Sequence, residues 1–134
     1  MEFDKFYGEN GLSEYCISKT GCKPYSGEGI GYRKHNDTCI LRSVDDTYYY
    51  CDNLDNKDLV EYTLFGHNGD QDINESKYNK PLLNSSNIYL YRACGKSRWI
   101  WYGKYKIINR FQKLNPGKDG INRKIIILRM KHLD

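Results

Sequence analysis

A run of alternating side chains, Asn87-Ile88-Tyr89-Leu90-Tyr91-Arg92-Ala93, predicts a strand with one face toward a core. The run from Arg98 to Phe111 is long enough for a second strand, which we expect to bend at Gly103. Further along, Ile125-Ile126-Ile127-Leu128 is apolar at every position, as in a strand buried on both faces, and we place this strand from Arg123 to Met130. The second half of the chain is therefore expected to be mostly β-sheet.

Shorter patterns fill the rest of the chain. Thr38–Arg42 and Thr47–Cys51 are β-branched and aromatic runs separated by Val44-Asp45-Asp46, which predicts a hairpin, and Leu59–Leu64 predicts another strand. A short helix is expected around Leu12 to Ser18, and a second from Asp72 or Asn74 toward Ser85, bent or divided by Pro81. These elements predict an α+β fold, a small mixed β-barrel of about five to seven strands with one or two short helices.

Length and charge indicate one module with an anionic partner. The 134 residues fit a single domain over 1–134, with 1–37 as an N-terminal extension of uncertain structure. Residues 1–95 hold ten basic and fifteen acidic side chains, whereas residues 96–134 hold eleven and two, so the net charges are −5 and +9. A basic segment of this kind is typical of proteins that bind nucleic acid phosphates, although it also suits a solvated face. The candidate phosphate-binding residues are Lys104, Lys106, Arg110, Lys113, Lys118, Arg123 and Lys124.

Other compositional features exclude several classes of protein. No apolar run approaches the roughly 20 residues of a membrane span, and the N-terminus lacks the order of a signal peptide. We therefore expect an intracellular protein, cytoplasmic or nuclear, with no membrane contact. Five scattered cysteines then predict reduced thiols, and the spacing of Cys16, Cys22 and His35 does not form a zinc motif, so we expect no metal and no cofactor.

Four short motifs in the middle of the chain carry a resemblance. They are Tyr50-Cys51-Asp52, Val60-Glu61-Tyr62-Thr63-Leu64-Phe65-Gly66, Gly69-Asp70-Gln71 and Asn79-Lys80-Pro81-Leu82-Leu83, and the strands described above follow them. In this order they resemble the SRA (SET- and RING-associated) domain of the PUA-like superfamily, in the short form found with bacterial HNH restriction endonucleases. The resemblance covers about residues 38–130, and one departure is Leu64, which stands where the family pattern has glycine.

The resemblance implies a base-binding pocket. By position in the motifs, Tyr50 and Tyr62 would lie on the two faces of a flipped base, with Thr63 beside its Watson–Crick edge. The acceptor for a cytosine amino group would be Asp52, with Asn53 as its competitor and Asp55 as an outside candidate. A carboxylate suits that amino group because it can only accept a hydrogen bond.

Neighbouring side chains have simpler interpretations. Tyr48, Tyr49 and Tyr50 alternate on the predicted strand, so one or two of them would face the core whatever the function. Asp70 and Gln71 are expected to fix a loop, and His67, just after the pocket motif, is a further candidate for contact with a ligand.

Three functions remain open at this point. The first is a non-enzymatic DNA-binding module that reads a modified, methylated cytosine by base flipping. The second is a PUA-like binder of RNA or of a free modified nucleotide. The third is a viral or mobile-element factor that binds a host protein through the same barrel. Catalysis is not expected, because the sequence offers only scattered candidates for a nucleophile with a base in reach.

Overall fold

The computed structural model of this chain describes residues 4–7, 9–24, 29–45, 47–95 and 98–133. In these residues it contains seven strands and two helices, which confirms the predicted α+β class. The strands are β1 (Asp4–Tyr7), β2 (Ile30–Arg33), β3 (Thr38–Val44), β4 (Leu59–Thr63), β5 (Asn87–Gly95), β6 (Arg98–Pro116) and β7 (Asn122–Leu133). The helices are α1 (Glu9–Thr20) and α2 (Asn79–Asn84). No helix in the described ranges has the length and apolar character that a membrane crossing requires.

All seven strands belong to one mixed sheet, in the order β2-β3-β5-β6-β7-β4, with β1 added beside β6. The β3–β5 pair is parallel and the other pairs are antiparallel. Because β3 has β2 on one edge and β5 on the other, it has no edge free for a hairpin partner. The predicted hairpin around Val44-Asp45-Asp46 is therefore wrong, and Thr47 to Cys51 forms a turn and an irregular segment instead of a strand.

The long β6–β7 hairpin matches the prediction and extends it. Gly103 has a φ of +106° and lies next to a register shift between β5 and β6, so the expected bend is a β-bulge. Beyond Tyr105, β6 leaves β5 and pairs with β7 alone as far as Pro116. We call residues 106–124 the arm: its β6 strand has β7 as its partner on one edge alone, whereas Ile125 to Leu128 of β7, directly after it, are buried in the core.

The two faces of the sheet bury different cores, whereas the alternation on β5 predicted a core on one face. Ile88 and Leu90 belong to the larger core, which also contains residues of β3, β4, β6 and β7. Tyr91 lies in the smaller core, beneath Leu12 and Cys16 of α1. Since β1, α1 and β2 all lie within residues 1–37, this N-terminal segment contributes strands and a helix to the same sheet.

The helix α2 begins later than the sequence predicted. Asn79 is its first residue, and Pro81 lies in its first turn, where a missing backbone N–H costs no helical hydrogen bond. A helix extended upstream would place the Pro81 ring against the carbonyl of Lys77. Carboxylates of Asp72 and Glu75 instead accept backbone N–H groups two or three residues ahead and hold the preceding segment as turns.

Within the described strands, no backbone ladder joins the two ends of the sheet. Side chains join them instead. The hydroxyl of Tyr62 on β4 donates to the carbonyl oxygens of Gly29 and Arg42, at 2.9 and 3.2 Å. The Gly29 carbonyl lies directly before β2 and the Arg42 carbonyl lies in β3. Both are therefore at the opposite end of the strand order from β4. The expected barrel is therefore an open sheet whose ends meet at one tyrosine, and this meeting point borders a cavity.

We expect Tyr62→Phe to lower the free energy of unfolding by about 1–2 kcal/mol, because two partly buried carbonyls each lose the hydrogen bond from its hydroxyl, although that of Gly29 keeps the backbone N–H of Arg42. Thermal unfolding followed by circular dichroism measures this change. The matched control is Tyr78→Phe, since the Tyr78 ring packs against Phe65 away from the join. Equal melting temperatures for the two variants would contradict the role of the Tyr62 hydroxyl in joining the sheet ends.

Candidate functional site

A cavity of about 240 Å³ lies between the end of β3, the segment 47–52 and the end of β4. Five rings line it, those of Tyr49, Tyr50, Tyr62, Phe65 and His67. Polar residues Thr47, Asp52 and Thr63 and apolar residues including Val44 and Leu64 complete the wall. Planar rings around a small space favour a flat aromatic ligand.

Among the residues that the structure describes, Asp52 is the one carboxylate on this cavity wall. Its Oδ1 accepts the backbone N–H of Thr63 at 2.7 Å, and its Oδ2 accepts the hydroxyl of Ser43 at 2.7 Å. Burial raises the pKa of the Asp52 carboxyl above 3.8, and these two hydrogen bonds oppose the rise. Each carboxylate oxygen has more than one lone pair, so Asp52 retains capacity to accept a hydrogen bond from a ligand.

Asn53, a predicted pocket residue, and Asp55 are not on the wall of the aromatic cavity. The backbone of Asn53 pairs with that of Glu61 at 2.8 and 2.9 Å, so its exposed side chain turns outward. Its Oδ1 accepts the N–H of Asp55 at 3.1 Å. Both residues line a second, polar cavity of about 380 Å³ together with Arg92. Tyr50 and Asp52 line both cavities, so of the three acceptors considered from the sequence Asp52 is the one that reaches the aromatic cavity.

The rings at the cavity contact one another. The centroid of Tyr49 lies 4.9 Å from that of Tyr50 and 5.3 Å from that of His67, and His67 lies 5.6 Å from Phe65. Burial raises the pKa of Tyr50 to about 12, so its phenol is neutral at pH 7. The sequence had indicated Tyr50 and His67 but not Tyr49 or Phe65. A strand would have placed Tyr49 and Tyr50 on opposite faces, whereas the observed turn brings both to one cavity.

Arg123, one of the predicted phosphate ligands, is buried and bonded within the protein. It is 3% exposed, and its guanidinium donates to the carbonyl oxygens of Gly66, Gly69 and Tyr49, the last at 2.7 Å. These carbonyls belong to the two segments that form the cavity wall. Arg123 therefore ties the segment around Tyr49 to the loop after β4, and we propose that it has this structural role and does not bind phosphate.

Two amide side chains brace the same loop. Gln71 donates to the carbonyl of Leu64 at 2.7 Å and accepts the backbone N–H of Ile126 at 2.8 Å, so it fixes the loop as predicted. Asn79, fully buried at the start of α2, accepts the N–H of Phe65 at 2.8 Å and donates to its carbonyl at 3.0 Å. The pocket motifs are thus held by residues from β7, α2 and the intervening segment.

The other six predicted phosphate-binding residues also lie on the β6–β7 hairpin. Five of the predicted seven are exposed, namely Lys106, Arg110, Lys113, Lys118 and Lys124. Lys104 is half-buried and donates to Asn87 Oδ1 at 2.9 Å. Lys106 stands directly opposite Lys131 across the ladder, and such like-charge pairs are unfavourable without a counter-ion. The arm therefore presents a surface for a polyanion.

The described residues contain no group of three or more His, Cys, Asp or Glu side chains that could hold a metal ion. Cys16 and Cys22 are both buried free thiols, and the His35 side chain lies outside the described part of the structure.

No protein-family model and no curated protein matches the sequence. Solved structures match it over nearly its whole length. The sulfur-binding and SRA domains of ScoMcrA, complexed with phosphorothioated DNA, match with a TM-score of 0.68 and 15% identity, over 98% of this chain and 39% of that one. The SRA domain of SUVH5, complexed with fully methylated CG DNA, gives 0.64 and 22%, over 96% and 88%. TagI, a modification-dependent restriction endonuclease, gives 0.65 and 14%, over 99% and 50%.

Proposed function

Because this chain is an SRA-like domain by its fold, we propose that it binds DNA and reads a modified cytosine turned out of the helix. The observation that supports this most is the position of Asp52, a carboxylate with accepting capacity on the wall of a cavity lined by aromatic rings. A second support is the exposed basic arm, which suits the phosphates on either side of the extruded base.

The cavity can replace the stacking and the hydrogen bonds that an extruded base loses. A flipped base leaves its stacking neighbours and its pairing partner, at a cost of a few kcal/mol. Stacking on a ring such as that of Tyr50 returns about 1–3 kcal/mol. The Asp52 carboxylate accepts the cytosine N4 amino group, whereas the O4 carbonyl of thymine would face it with a second acceptor. Asp52 therefore makes this a pocket for cytosine.

A substituent on the base is the modification that this cavity fits. Val44, Leu64 and Phe65 give it an apolar wall, on which a methyl group at C5 of cytosine can rest. Leu64 narrows the space that the glycine of the family pattern would leave, so a methyl group should fit better than a larger substituent. The ScoMcrA complex carries a separate sulfur-binding domain beside its SRA domain, so its phosphorothioated DNA does not argue for sulfur here.

We propose that the domain binds without chemistry. Ser43 is the hydroxyl that donates to Asp52, but it is 3% exposed and cannot approach a phosphodiester. The hydroxyl oxygen of Thr63 already accepts the backbone N–H of Cys51 at 2.8 Å. Neither hydroxyl has the exposure and the free base that a nucleophile requires.

Fluorescence anisotropy with matched labelled duplexes tests this proposal. The duplexes carry cytosine, 5-methylcytosine or 5-hydroxymethylcytosine at one position, and an RNA of the same sequence is the control. We expect the methylated duplex to bind most tightly, by about tenfold over the unmodified one, since the wall contacts only the substituent. Equal affinity for all three duplexes, or tighter binding of the RNA, would refute the proposal.

Removing charge from the arm should weaken binding without changing base preference. For the triple variant Lys113→Ala, Lys118→Ala, Lys124→Ala we expect lower affinity for methylated and unmodified duplexes alike, and a salt slope flatter by about one unit for each phosphate that is no longer neutralised. The matched control removes the same charge from exposed lysines elsewhere, with Lys19→Ala, Lys23→Ala, Lys34→Ala. If both triple variants alter the slope equally, the arm has no special part in binding.

A further inference from the structure

The arm leaves one edge of β6 without a neighbouring strand. From Arg98 to Tyr105 this edge pairs with β5, and the pairing ends where Ile88 lies opposite Tyr105. Beyond that point β6 continues to Pro116 with β7 on its other edge. Among the described strands, none takes the place of β5 there. An open edge of this kind presents backbone groups to which a further strand can bind.

The hydrogen bonds of β7 show which backbone groups lie on the open edge. The N–H of Ile126 donates to Gln71 Oε1 at 2.8 Å, and its carbonyl accepts the N–H of Leu64 at 3.0 Å. In the same way, the N–H of Lys124 donates to Asp70 Oδ1 at 2.8 Å, and its carbonyl accepts the N–H of Gln71 at 3.0 Å. Both residues of β7 therefore direct their backbone polar groups away from β6.

The residues of β6 opposite these two carry the open groups. Gln112 lies opposite Ile126 and Leu114 lies opposite Lys124, so each is a non-hydrogen-bonded pair of the antiparallel ladder. The N–H and C=O of Gln112 and Leu114 consequently point away from β7. Both residues are exposed, and in the described part of the chain these groups have no hydrogen bond.

The open stretch has defined ends. Toward the core, the N–H of Arg110 donates to Asn109 Oδ1 at 2.8 Å, next to a register shift that interrupts the ladder. Toward the turn, the side-chain amide of Asn115 donates to the carbonyl of Tyr48 at 3.0 Å. The edge therefore offers room for a short strand centred near Gln112.

Apolar side chains on the same strand are exposed. Leu114 is 67% exposed and Ile108 is 48% exposed. Ile108 lines a groove of about 660 Å³ between β6 and the segment that contains α2, and Ile73 and Leu83 line it as well. Since Leu83 lies shortly before β5, the groove lies near the point where the pairing of β5 with β6 ends. A segment bound along the edge could therefore also bury apolar side chains.

The charges along the edge favour an acidic occupant. Lys106, Arg110 and Lys113 on β6 are exposed, and Arg110 lines the groove together with the exposed Lys80. Asp119 is the one acidic residue in the sequence of the arm, and its Oδ1 accepts a backbone N–H within the turn. Carboxylates on an added strand would pair favourably with these cations. A second copy of this chain would instead bring another basic arm against the first.

We propose that this edge binds an extended acidic segment of another protein as an added β-strand, an interaction that does not depend on the reading of DNA. A peptide supplies both N–H and C=O groups, so it satisfies both kinds of group at Gln112 and Leu114. The phosphates of a nucleic acid only accept hydrogen bonds, so they would leave the two carbonyls unpaired. Side chains stand on the faces of a sheet and the open groups lie at its edge, so DNA and peptide would contact different atoms of the arm.

Proline on the open edge tests this proposal. Gln112→Pro removes an N–H that faces away from β7, where a sheet tolerates proline, and the ring obstructs an added strand. Leu114→Pro blocks the same edge at a second position. Gln112→Ala, which keeps the backbone N–H, is the matched control. The probes are a labelled short peptide in which glutamate and valine alternate, and its counterpart with lysine in place of glutamate.

Fluorescence anisotropy measures the affinity of each variant for the two peptides. We expect wild type and Gln112→Ala to bind the glutamate peptide equally and the lysine peptide about tenfold more weakly. Gln112→Pro and Leu114→Pro should each bind the glutamate peptide about tenfold more weakly than wild type. The affinity of Gln112→Pro for the methylated duplex should equal that of wild type, since its charges are unchanged.

Amide hydrogen exchange of the wild-type protein locates the added strand without any substitution. The glutamate peptide should slow exchange at the N–H groups of Gln112 and Leu114 by about tenfold, because both then donate to the peptide. If the glutamate peptide binds but exchange at these two amides is unchanged, the peptide contacts only the basic side chains and the proposal is wrong.

The other outcomes are equally decisive. Failure of wild type to bind the glutamate peptide would overturn the proposal and leave the reading of DNA untouched. Equal peptide affinity in wild type, Gln112→Pro and Leu114→Pro, with all three shown to be folded by their melting temperatures, would also overturn it. Analytical ultracentrifugation covers the remaining occupant, because a wild-type dimer that Gln112→Pro dissociates would assign the edge to a second copy of the chain.

Discussion

Asp52→Ala is expected to reduce the discrimination between cytosine and thymine forms of the methylated base by about 1–3 kcal/mol, roughly tenfold to a hundredfold in relative affinity. The carboxylate is the acceptor on the wall of the aromatic cavity, so its removal takes away the group that distinguishes N4 from O4. Competition binding with duplexes that carry 5-methylcytosine or thymine at the same position measures the ratio.

The matched control is Asp55→Ala, an exposed carboxylate near Asp52 in sequence that lines only the polar cavity. It should leave the ratio unchanged. Asp52→Ala also removes the acceptor for Thr63 and Ser43, which should lower stability by about 1–3 kcal/mol, so folding is checked by thermal unfolding. A ratio that is the same in wild type, Asp52→Ala and Asp55→Ala would show that Asp52 does not read the base.

Asp52→Asn gives a sharper version of the same test. Its Oδ1 can keep the bond from the Thr63 N–H, which leaves an amide donor where Oδ2 accepted before. We expect the preference to shift toward thymine forms, since a donor suits O4.

The folded pKa of Asp52 lies above 3.8, so its ionised form is disfavoured by folding, and wild type should lose stability relative to Asp52→Asn as pH rises from about 4 through that pKa.

Arg123→Ala is expected to lower the free energy of unfolding by about 2–4 kcal/mol, with a fall in melting temperature of roughly 10 °C. The substitution removes the guanidinium donor from the partly buried carbonyls of Gly66, Gly69 and Tyr49, of which Gly66 keeps the side-chain amide of Gln71. Differential scanning calorimetry measures the change, and Lys124→Ala, the exposed neighbour, is the control for removal of one positive charge.

The salt dependence of DNA binding separates this structural role from the phosphate binding that the sequence indicated. We expect Arg123→Ala to keep the wild-type salt slope, because the side chain is buried, while its base preference weakens as the cavity wall loosens. An unchanged melting temperature combined with a slope flatter by about one unit would instead make Arg123 a phosphate ligand.

The local sequence pattern was sufficient to predict the strands that find a partner in the sheet. The alternation from Ile88 to Arg92 and the apolar run at Ile125 to Leu128 predicted β5 and β7, and the glycine at 103 predicted the bend in β6. The same kind of pattern failed at Thr47 to Cys51, because whether a β-like run becomes a strand depends on a free sheet edge. The parallel β3–β5 pairing, made by residues far apart in the sequence, had already used that edge.

The candidate site, too, could be predicted from the sequence only in part. The order of the motifs predicted that Tyr50, Asp52, Tyr62 and Thr63 share one cavity. All four line it, although their roles in binding remain predictions. Charge alone could not tell Arg123 from Lys124, since adjacent residues on a strand point to opposite faces and only the packing decides which face is buried. Tyr49 reaches the site through a turn and Phe65 through the bend after β4, and periodicity reveals neither.

Extrusion of the base is the central claim, and 2-aminopurine fluorescence measures it most directly. The probe is placed next to 5-methylcytosine in a duplex, where stacking quenches it. At saturating protein we predict a clear rise in fluorescence for wild type, and little rise for Tyr50→Ala, which lacks a ring on which the extruded base can stack. Saturated binding by the wild-type protein with no rise in fluorescence would contradict the account, because the base would then be read inside the helix or not at all.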